Sequence, residues 1–318
     1  MINLLEKLTS FSAVSGNEEA IRNYILKEVS PFAECSVDKA GNLICFKKGK
    51  KTPVRKIMID AHMDEVGIIA CSFTSKGFVK FETVGGIDTA VMLCRSVVFE
   101  NGVKGVVGLK PIHLCEKDEK KKLPETDSLY IDIGAKNEEE AKSLINLGDT
   151  AVFESEFAFL SDNIIKARAI DDRAGCAILI NLLKNDAEYD FYGVFSQMEE
   201  VGLRGARTAA YTVDPDAAIV LEATTAADLH GIDEENTVCK LGCGPAISFM
   251  DRSTLYDRRL YEAALSSSVK TQVKAAVAGG NNAGAIHLSK GGVPTLAISV
   301  PCRYIHSPSC VCSKEDIQ

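Results

Sequence analysis

One stretch of this sequence, residues 191–205, constrains the fold more than any other. It reads FYGVFSQMEEVGLRG, in which residues 192–195 have the aromatic and β-branched composition of a buried strand. Two glutamates, Glu199 and Glu200, follow this run and precede a glycine-bearing turn. Because ligands bind where the carboxyl ends of parallel strands meet the starts of helices, we expect both carboxylates at the functional edge of a sheet.

Length and charge narrow the class of protein. At roughly 150 residues per domain, a chain of 318 residues indicates two domains. The net charge of -8 disfavours nucleic acid as a partner. The first twenty residues do not have the pattern of a secretion signal, and no run approaches about 18 uninterrupted apolar residues. We therefore expect a cytoplasmic protein that does not act in a membrane.

The pattern of secondary-structure signals changes between about residues 68 and 164. Short β-rich runs alternate there with turns and with one strongly charged loop, residues 116–122. Strand-like runs on either side alternate with helical patterns, which is typical of α/β proteins. We predict an α/β fold with a mixed, mostly parallel sheet flanked by helices. Residues 1–67 and 165–318 would form one domain, interrupted by a small β-barrel or sandwich at residues 68–164.

Five side chains that commonly bind metals follow separate strand-like runs. An isolated histidine at a strand end is usually a surface residue, and an isolated Asp-Asp pair usually caps a helix. Five such residues at one topological position favour a shared site, and two imidazoles with three carboxylates suit zinc, cobalt or manganese. This number of ligands is enough for two ions if one carboxylate bridges them. The five are His62, Asp171, Glu200, Glu222 and His306.

The adjacent glutamates predict a division of roles. Neighbouring side chains on an extended segment point in opposite directions, so one glutamate can bind metal while the other stays free. A free carboxylate has no use in a purely structural metal site, and Glu199 therefore favours catalysis.

Five blocks of sequence resemble, in order, the motifs of the cytosolic dinuclear metallo-aminopeptidases that include the tetrahedral and glutamyl aminopeptidases. The resemblance implies a zinc-peptidase-like fold and the removal of N-terminal residues from short peptides, with two divalent ions per subunit, zinc first and cobalt or manganese as alternatives. The blocks are AHMDEVG (residues 61–67), IDDRAG (170–175), SQMEEVGLRGA (196–206), IVLEATTAAD (219–228) and SVPCRYIHSP (299–308).

The same resemblance implies a role for each residue of the site. One ion would be held by His62, Asp171 and Glu222, and the other by Asp171, Glu200 and His306, with Asp171 bridging. Glu199 would be the general base that takes a proton from the attacking water and returns it to the leaving amine. Asp64 would orient the imidazole of His62. Asp172 would stand next to the ligands, after a peptide bond that is commonly cis in the family.

The resemblance also implies an assembly. Family members carry a β-domain between the first two ligand motifs and use it to form dimers and hollow twelve-subunit particles. Relatives usually have Thr-Asp where this chain has Asn281 and Asn282. Asn282 is therefore a candidate for binding substrate, but the missing carboxylate leaves the preferred N-terminal residue of the peptide undetermined. Arg252, in the run MDRS, is a candidate for binding an acidic first residue.

Two other functions remain open from sequence. Relatives are sometimes named endoglucanases, and paired carboxylates are the groups that glycosidases use. Carboxylates adjacent in sequence, however, do not straddle a sugar at the required separation of about 5 to 9.5 Å. The other alternative is a non-catalytic scaffold that binds metal or peptide, against which the free carboxylate of Glu199 argues.

Overall fold

The computed structural model describes all 318 residues and contains seventeen strands. In chain order they are β1 (Glu34–Val37), β2 (Leu43–Lys47), β3 (Ile57–His62), β4 (Gly67–Phe73), β5 (Val79–Val84), β6 (Ser96–Phe99), β7 (Lys104–Gly108), β8 (Tyr130–Asp132), β9 (Thr150–Phe153), β10 (Ala158–Phe159), β11 (Ile164–Ala167), β12 (Phe191–Ser196), β13 (Ala217–Thr225), β14 (Ala246–Ile247), β15 (Gln272–Val273), β16 (Thr295–Arg303) and β17 (Cys310–Ser313).

Eleven of these strands form one mixed sheet in the order β1-β2-β12-β3-β13-β16-β17-β11-β10, with β14 paired to β16 and β15 paired to β14. Its centre, β12-β3-β13-β16, is parallel, and the pairs outside it along this path are antiparallel. The carboxyl ends of the four central strands therefore meet at one edge. The predicted class, an α/β protein with a mixed sheet and an inserted small β-domain, is confirmed.

Helices cover both faces of the sheet. Alternate residues of β12 show this directly, because Phe195 packs in one core cluster and Val194 in another. A strand buried on both faces must be apolar throughout, which explains the continuous run at residues 192–195. The α-helices are α1 (Ile2–Thr9), α2 (Glu19–Val29), α3 (Thr89–Met92), α4 (Glu138–Leu144), α5 (Ile170–Lys184), α6 (Arg204–Val213), α7 (Arg258–Leu265), α8 (Ala283–Ile286) and α9 (Lys314–Ile317).

Four helices, α1, α2, α5 and α9, contribute to the core cluster on the Phe195 side. On the Phe195 side, α1 and α2 pack with α5, and α2 buries Ile21, Ile25 and Val29 at the four-residue spacing of a helix face. On the opposite side, α6 and α8 supply small residues such as Ala209 and Ala283. No helix has both the length and the apolar composition needed to cross a membrane.

The inserted segment forms a closed six-stranded barrel in the order β4-β5-β8-β7-β6-β9. It has a core of its own, which includes Ile68, Val97, Ile131 and Phe153. The chain leaves the main sheet after β3 and re-enters it at β10. The barrel is therefore connected to the sheet at the edge where the parallel strands end. The exact boundaries at residues 68 and 164 stay a prediction.

The second helix begins later than the sequence pattern suggests. Ser15 and Asn17 are of the residue types that commonly cap helices, but α2 begins at Glu19. The hydroxyl of Ser15 instead donates a hydrogen bond of 2.6 Å to Asp64. A tertiary contact at the functional edge has replaced the local cap.

Candidate metal centre

Strand geometry brings the predicted ligands to one place. His62 is the last residue of β3, and Glu222 lies near the end of β13. Glu199 and Glu200 occupy the turn after β12. The other two ligands reach the same edge from outside these strands, since His306 follows β16 and Asp171 stands at the start of α5.

Asp171 lies between the two imidazoles. Its Oδ1 is 3.2 Å from Nε2 of His62, and its Oδ2 is 3.2 Å from Nε2 of His306. Each oxygen therefore faces a different histidine. This is the arrangement that a carboxylate shared by two cations requires.

The outer positions are filled by one glutamate each. Oε1 of Glu222 lies 3.4 Å from Nε2 of His62, and Oε2 of Glu200 lies 3.3 Å from Nε2 of His306. The cluster thus has two halves that share Asp171. Each half contains one imidazole and one glutamate.

A buried carboxylate behind the cluster orients it. Oδ1 of Asp64 lies 3.3 Å from Nδ1 of His62, on the side of the ring opposite Asp171. The two oxygens of Asp64 also accept the backbone N–H groups of Glu199 and Glu200, at 3.0 and 3.1 Å. One fully buried side chain therefore positions the first imidazole and both glutamates.

The inserted barrel orients the second imidazole. Nδ1 of His306 is 2.7 Å from the backbone oxygen of Gly86, in the loop after β5. Because the oxygen can only accept, Nδ1 carries the proton and Nε2 faces Asp171 with its lone pair in the neutral ring.

Asp172 supports the site from beneath. The peptide bond between Asp171 and Asp172 is cis. The fully buried carboxylate of Asp172 accepts the backbone N–H of Gly175 at 2.9 Å and that of His62 at 3.3 Å. Its oxygens are thus used in holding the end of β3 against the start of α5.

The protein charges in this cluster perturb one another strongly. Burial, followed by the charge of Asp171, raises the pKa of Glu200 to about 8. Burial also raises the pKa of Glu222 to about 7. Burial alone would lower the pKa of His306, but its hydrogen bond to Asp171 and the charge of Glu200 raise that pKa to about 10. Burial alone would raise the pKa of Asp171, but its contacts with His306 and His62 hold that pKa well below the usual range.

These groups fit divalent cations. The three carboxylates of the cluster, Asp171, Glu200 and Glu222, cannot all be ionised so close together without positive charge, and even two protonated histidines would not balance them. Oε2 of Glu222 is buried and has no hydrogen-bond partner. Nitrogen and oxygen donors without sulfur suit zinc, cobalt and manganese. In two groups of side chains the ligand atoms all lie within 4.8 Å of one another: His62 with Asp171 and Glu200, and His62 with Asp172 and Glu222.

A cleft of about 200 Å³ opens over the cluster. Glu199 lines it together with the ligands, and Asn281 lines its far wall. Asn282 does not line it, because its amide is buried and donates to Asp60 at 2.7 Å and to Ser196 at 2.8 Å. Arg252 is exposed and lies outside the cleft lining. The substrate-binding roles assigned to Arg252 and Asn282 stay predictions that this placement does not favour.

Sequence reasoning missed three groups at this edge. Asp60 is fully buried, and burial raises its pKa to about 7. Lys274 lines the cleft. The carbonyl of Gly86 orients His306. The position of Asp60 two residues before His62, on the same face of β3, was the one available signal, since an isolated lysine and a backbone oxygen carry none.

Known proteins resemble this chain over its whole length. It is 40% identical over 324 residues to a putative aminopeptidase of Acetivibrio thermocellus, covering 100% of this chain and 95% of that relative. The aminopeptidase APDkam598 of the archaeon Desulfurococcus kamchatkensis superposes with a TM-score of 0.94 at 35% identity, covering 99% and 91%. The TET1 peptidase of Pyrococcus horikoshii, which can assemble into a tetrahedron or a large octahedral shell, gives a TM-score of 0.85 at 34% identity, covering 99% and 95%.

The likeness to these relatives defines the class as an aminopeptidase, with a candidate metal centre at the sheet edge. The model of the M42 glutamyl aminopeptidase family matches residues 41–318. The chain belongs to the M42 glutamyl aminopeptidase family.

Proposed function

We propose that this protein is a metal-dependent aminopeptidase that removes N-terminal residues from short peptides. The observation that carries the proposal is the position of Asp171, with one oxygen 3.2 Å from each of two imidazoles. A catalytic edge of this kind is consistent with membership of an aminopeptidase family.

Two divalent ions are assigned to the two halves of the cluster, zinc being the first candidate and cobalt or manganese the alternatives. His62 and Glu222 would hold one ion, and Glu200 and His306 the other, with Asp171 shared between them. When bound, such ions supply a Lewis acid for the peptide carbonyl and make water a stronger acid near neutral pH.

Glu199 is the proposed general base. It lines the cleft, and it takes part in no ion pair with either imidazole, whereas its neighbour Glu200 lies 3.3 Å from His306. Its backbone is fixed by Asp64, so its carboxylate starts from an anchored position. In this role Glu199 accepts a proton from the attacking water and delivers it to the leaving amine.

Self-association is the second part of the proposal. The P. horikoshii relative can assemble into a tetrahedron or a large octahedral shell, and it matches 99% of this chain. The barrel of this chain exposes Ile112, Leu114 and Leu123, which a second copy could cover. The assembly would be a dimer or a twelve-subunit particle, and the hollow particle would restrict access to short peptides. A cytoplasmic location stays a prediction.

The alternative functions are weaker. A glycosidase needs two carboxyl groups on opposite sides of a sugar, whereas Asp171, Glu200 and Glu222 are all packed against imidazoles. A scaffold that binds metal without catalysis gives no use to Glu199.

The test is hydrolysis of a panel of aminoacyl p-nitroanilides by protein reconstituted with zinc, cobalt or manganese. A chelator-treated sample is the control, and a cellulose-derived oligosaccharide tests the glycosidase alternative. We expect anilide hydrolysis that disappears on chelation and returns with metal. Equal activity with and without bound metal, or activity on the oligosaccharide alone, would show the proposal to be wrong.

A further inference from the structure

Two cysteines outside the candidate metal centre lie in contact with each other. Cys35 in β1 and Cys45 in β2 stand directly opposite each other in the antiparallel register, and their sulfur atoms are 3.1 Å apart. Directly opposite residues of such a pair have Cα atoms about 4.5 or 5.5 Å apart. A disulfide requires a Cα separation of about 4.4–6.8 Å. The two strands therefore place these residues where a bond between the sulfurs can close.

The two thiols differ in access and in acidity. Cys35 is partly exposed in the outermost strand of the sheet, whereas Cys45 is fully buried in the core. The contact with Cys45 lowers the pKa of the Cys35 thiol, although burial opposes this. The contact with Cys35, together with burial, raises the pKa of the Cys45 thiol. An accessible thiol of lowered pKa suits the first attack on a disulfide, so Cys35 would react first and Cys45 would complete the bond.

The hairpin that carries this pair also supports the turn after β12. Asn42, which is fully buried just before β2, accepts the backbone N–H of Gln197 at 3.1 Å and donates to the carbonyl of Gly205 at 3.0 Å. Glu199 lies between these two contacts along the chain. A bond between the cysteines would close a ring of chain, residues 35–45, that contains Asn42. It would thus restrain the residue that fixes both ends of this turn.

We propose that Cys35 and Cys45 are a site of reversible disulfide formation, at which a small-molecule disulfide such as oxidised glutathione cross-links the hairpin that supports Glu199. The thiolate of Cys35 attacks one sulfur of the small disulfide, and the other sulfur leaves as a thiolate that takes up a proton. Cys45 then loses its proton, attacks the Cys35 sulfur and expels the second small thiol.

The exchange is balanced in electrons and protons. Two protein thiols lose two electrons and become one disulfide, while one small-molecule disulfide gains them and becomes two thiols. In a reducing compartment such a bond forms only while the small-molecule disulfide is abundant. The bond forms whether or not the protein is an aminopeptidase.

The test exposes the folded, full-length protein to glutathione disulfide and locates the products by peptide mass spectrometry. We expect a bond between Cys35 and Cys45 in wild type, and its loss on treatment with dithiothreitol. In Cys45→Ser, glutathione should stay attached to Cys35, because no second thiol expels it. Cys71→Ser is the matched control. Cys71 is exposed and its thiol contacts the carbonyl of Ile69 at 3.5 Å, so this variant should form the bond as wild type does.

Two further measurements test what the bond does to the fold. Oxidised wild type should unfold at a higher urea concentration than reduced wild type, because the bond restricts the unfolded chain. The same treatment of Cys35→Ser should not produce this shift. Amide hydrogen exchange across residues 197–205 should slow in oxidised wild type, because Asn42 accepts the N–H of Gln197.

Absence of the bond between Cys35 and Cys45 in folded wild type, including glutathione that stays on Cys35, would overturn the inference. So would a bond that forms only after the chain has been unfolded in urea. Equal urea midpoints, or unchanged amide exchange across residues 197–205, would overturn the support that the bond gives to the turn. None of these measurements uses turnover, so they stand apart from the test of the aminopeptidase.

Discussion

The Nδ1 atom of His306 lies 2.7 Å from the backbone oxygen of Gly86, although 220 residues separate them along the chain. The first belongs to the main sheet's functional edge and the second to the barrel. The barrel therefore does more than extend the surface of the molecule, because it sets the ring orientation of one proposed ligand. Any movement of the barrel relative to the sheet would change the orientation of this imidazole.

Asp171→Asn should remove metal from both halves of the cluster. The amide keeps the size of the side chain but loses the charge that faces two imidazoles. We expect metal affinity to fall on the order of 100-fold or more, with activity lost in parallel. Metal content after dialysis measures this, with the exposed Asp186→Asn as control. Full retention of two ions by Asp171→Asn would contradict the shared role.

Glu199→Gln should separate catalysis from metal binding. If Glu199 is the base, kcat falls by about 10²–10⁴ while two ions stay bound. The measurement is kcat together with metal content on the same sample. Glu235→Gln, an exposed loop change, is the control. Loss of metal in Glu199→Gln would show that this residue is a ligand and not the base.

Gly205→Ala should destabilise the fold next to the two glutamates. A Cβ atom at Gly205 would run into the backbone oxygen of Gln197 and the side chain of Asn42, which leave no room for it. We expect a loss of about 1–3 kcal/mol in the free energy of unfolding, measured by urea denaturation. The control is Gly291→Ala, where the new Cβ meets nothing within 4 Å. Equal midpoints for the two variants would count against this packing.

Asp228→Asn should weaken the protein at neutral pH and matter less in acid. Both oxygens of Asp228 accept from Arg303, each at 2.7 Å. Burial alone would raise the pKa of Asp228, but the bonds from Arg303 and Leu241 lower it. A lowered pKa stabilises the fold above the ordinary carboxyl value of about 3.9, and the gain disappears as pH falls through the folded-state value.

For this variant we expect a loss of about 1 kcal/mol at pH 7 that shrinks towards pH 3. Unfolding free energies of wild type and Asp228→Asn across that range test it. A difference that stays constant with pH would mean that the ionisation of Asp228 does not stabilise the fold.

The strand ends could be predicted because burial on both faces leaves an unmistakable pattern. A strand such as β12 must be apolar up to the point where it emerges, so Glu199 and Glu200 mark its end. The barrel could be predicted for a related reason, since regularly spaced short strands have few other solutions. The edge positions of His62 and Glu222 followed from the same reasoning.

Tertiary contacts between residues far apart in the chain leave no such pattern in the sequence. Ser15 has the form of a helix cap, and only the tertiary structure shows that it bonds Asp64. Arg252 was chosen for its charge, yet its side chain is exposed, while Lys274, in an unremarkable segment, lines the cleft. The charge of a side chain follows from its residue type, but whether the side chain points into the cleft depends on the tertiary structure.

The register of the parallel strands determines whether the proposed ligands face one another. His62 stands opposite Ser196 in the parallel register, and Glu222 opposite Ser299. Sliding β3 or β13 by a single residue would turn His62 or Glu222 to the other face of the sheet and scatter the donor atoms. A cation bound at the proposed site would therefore stabilise only those molecules whose strands are correctly aligned.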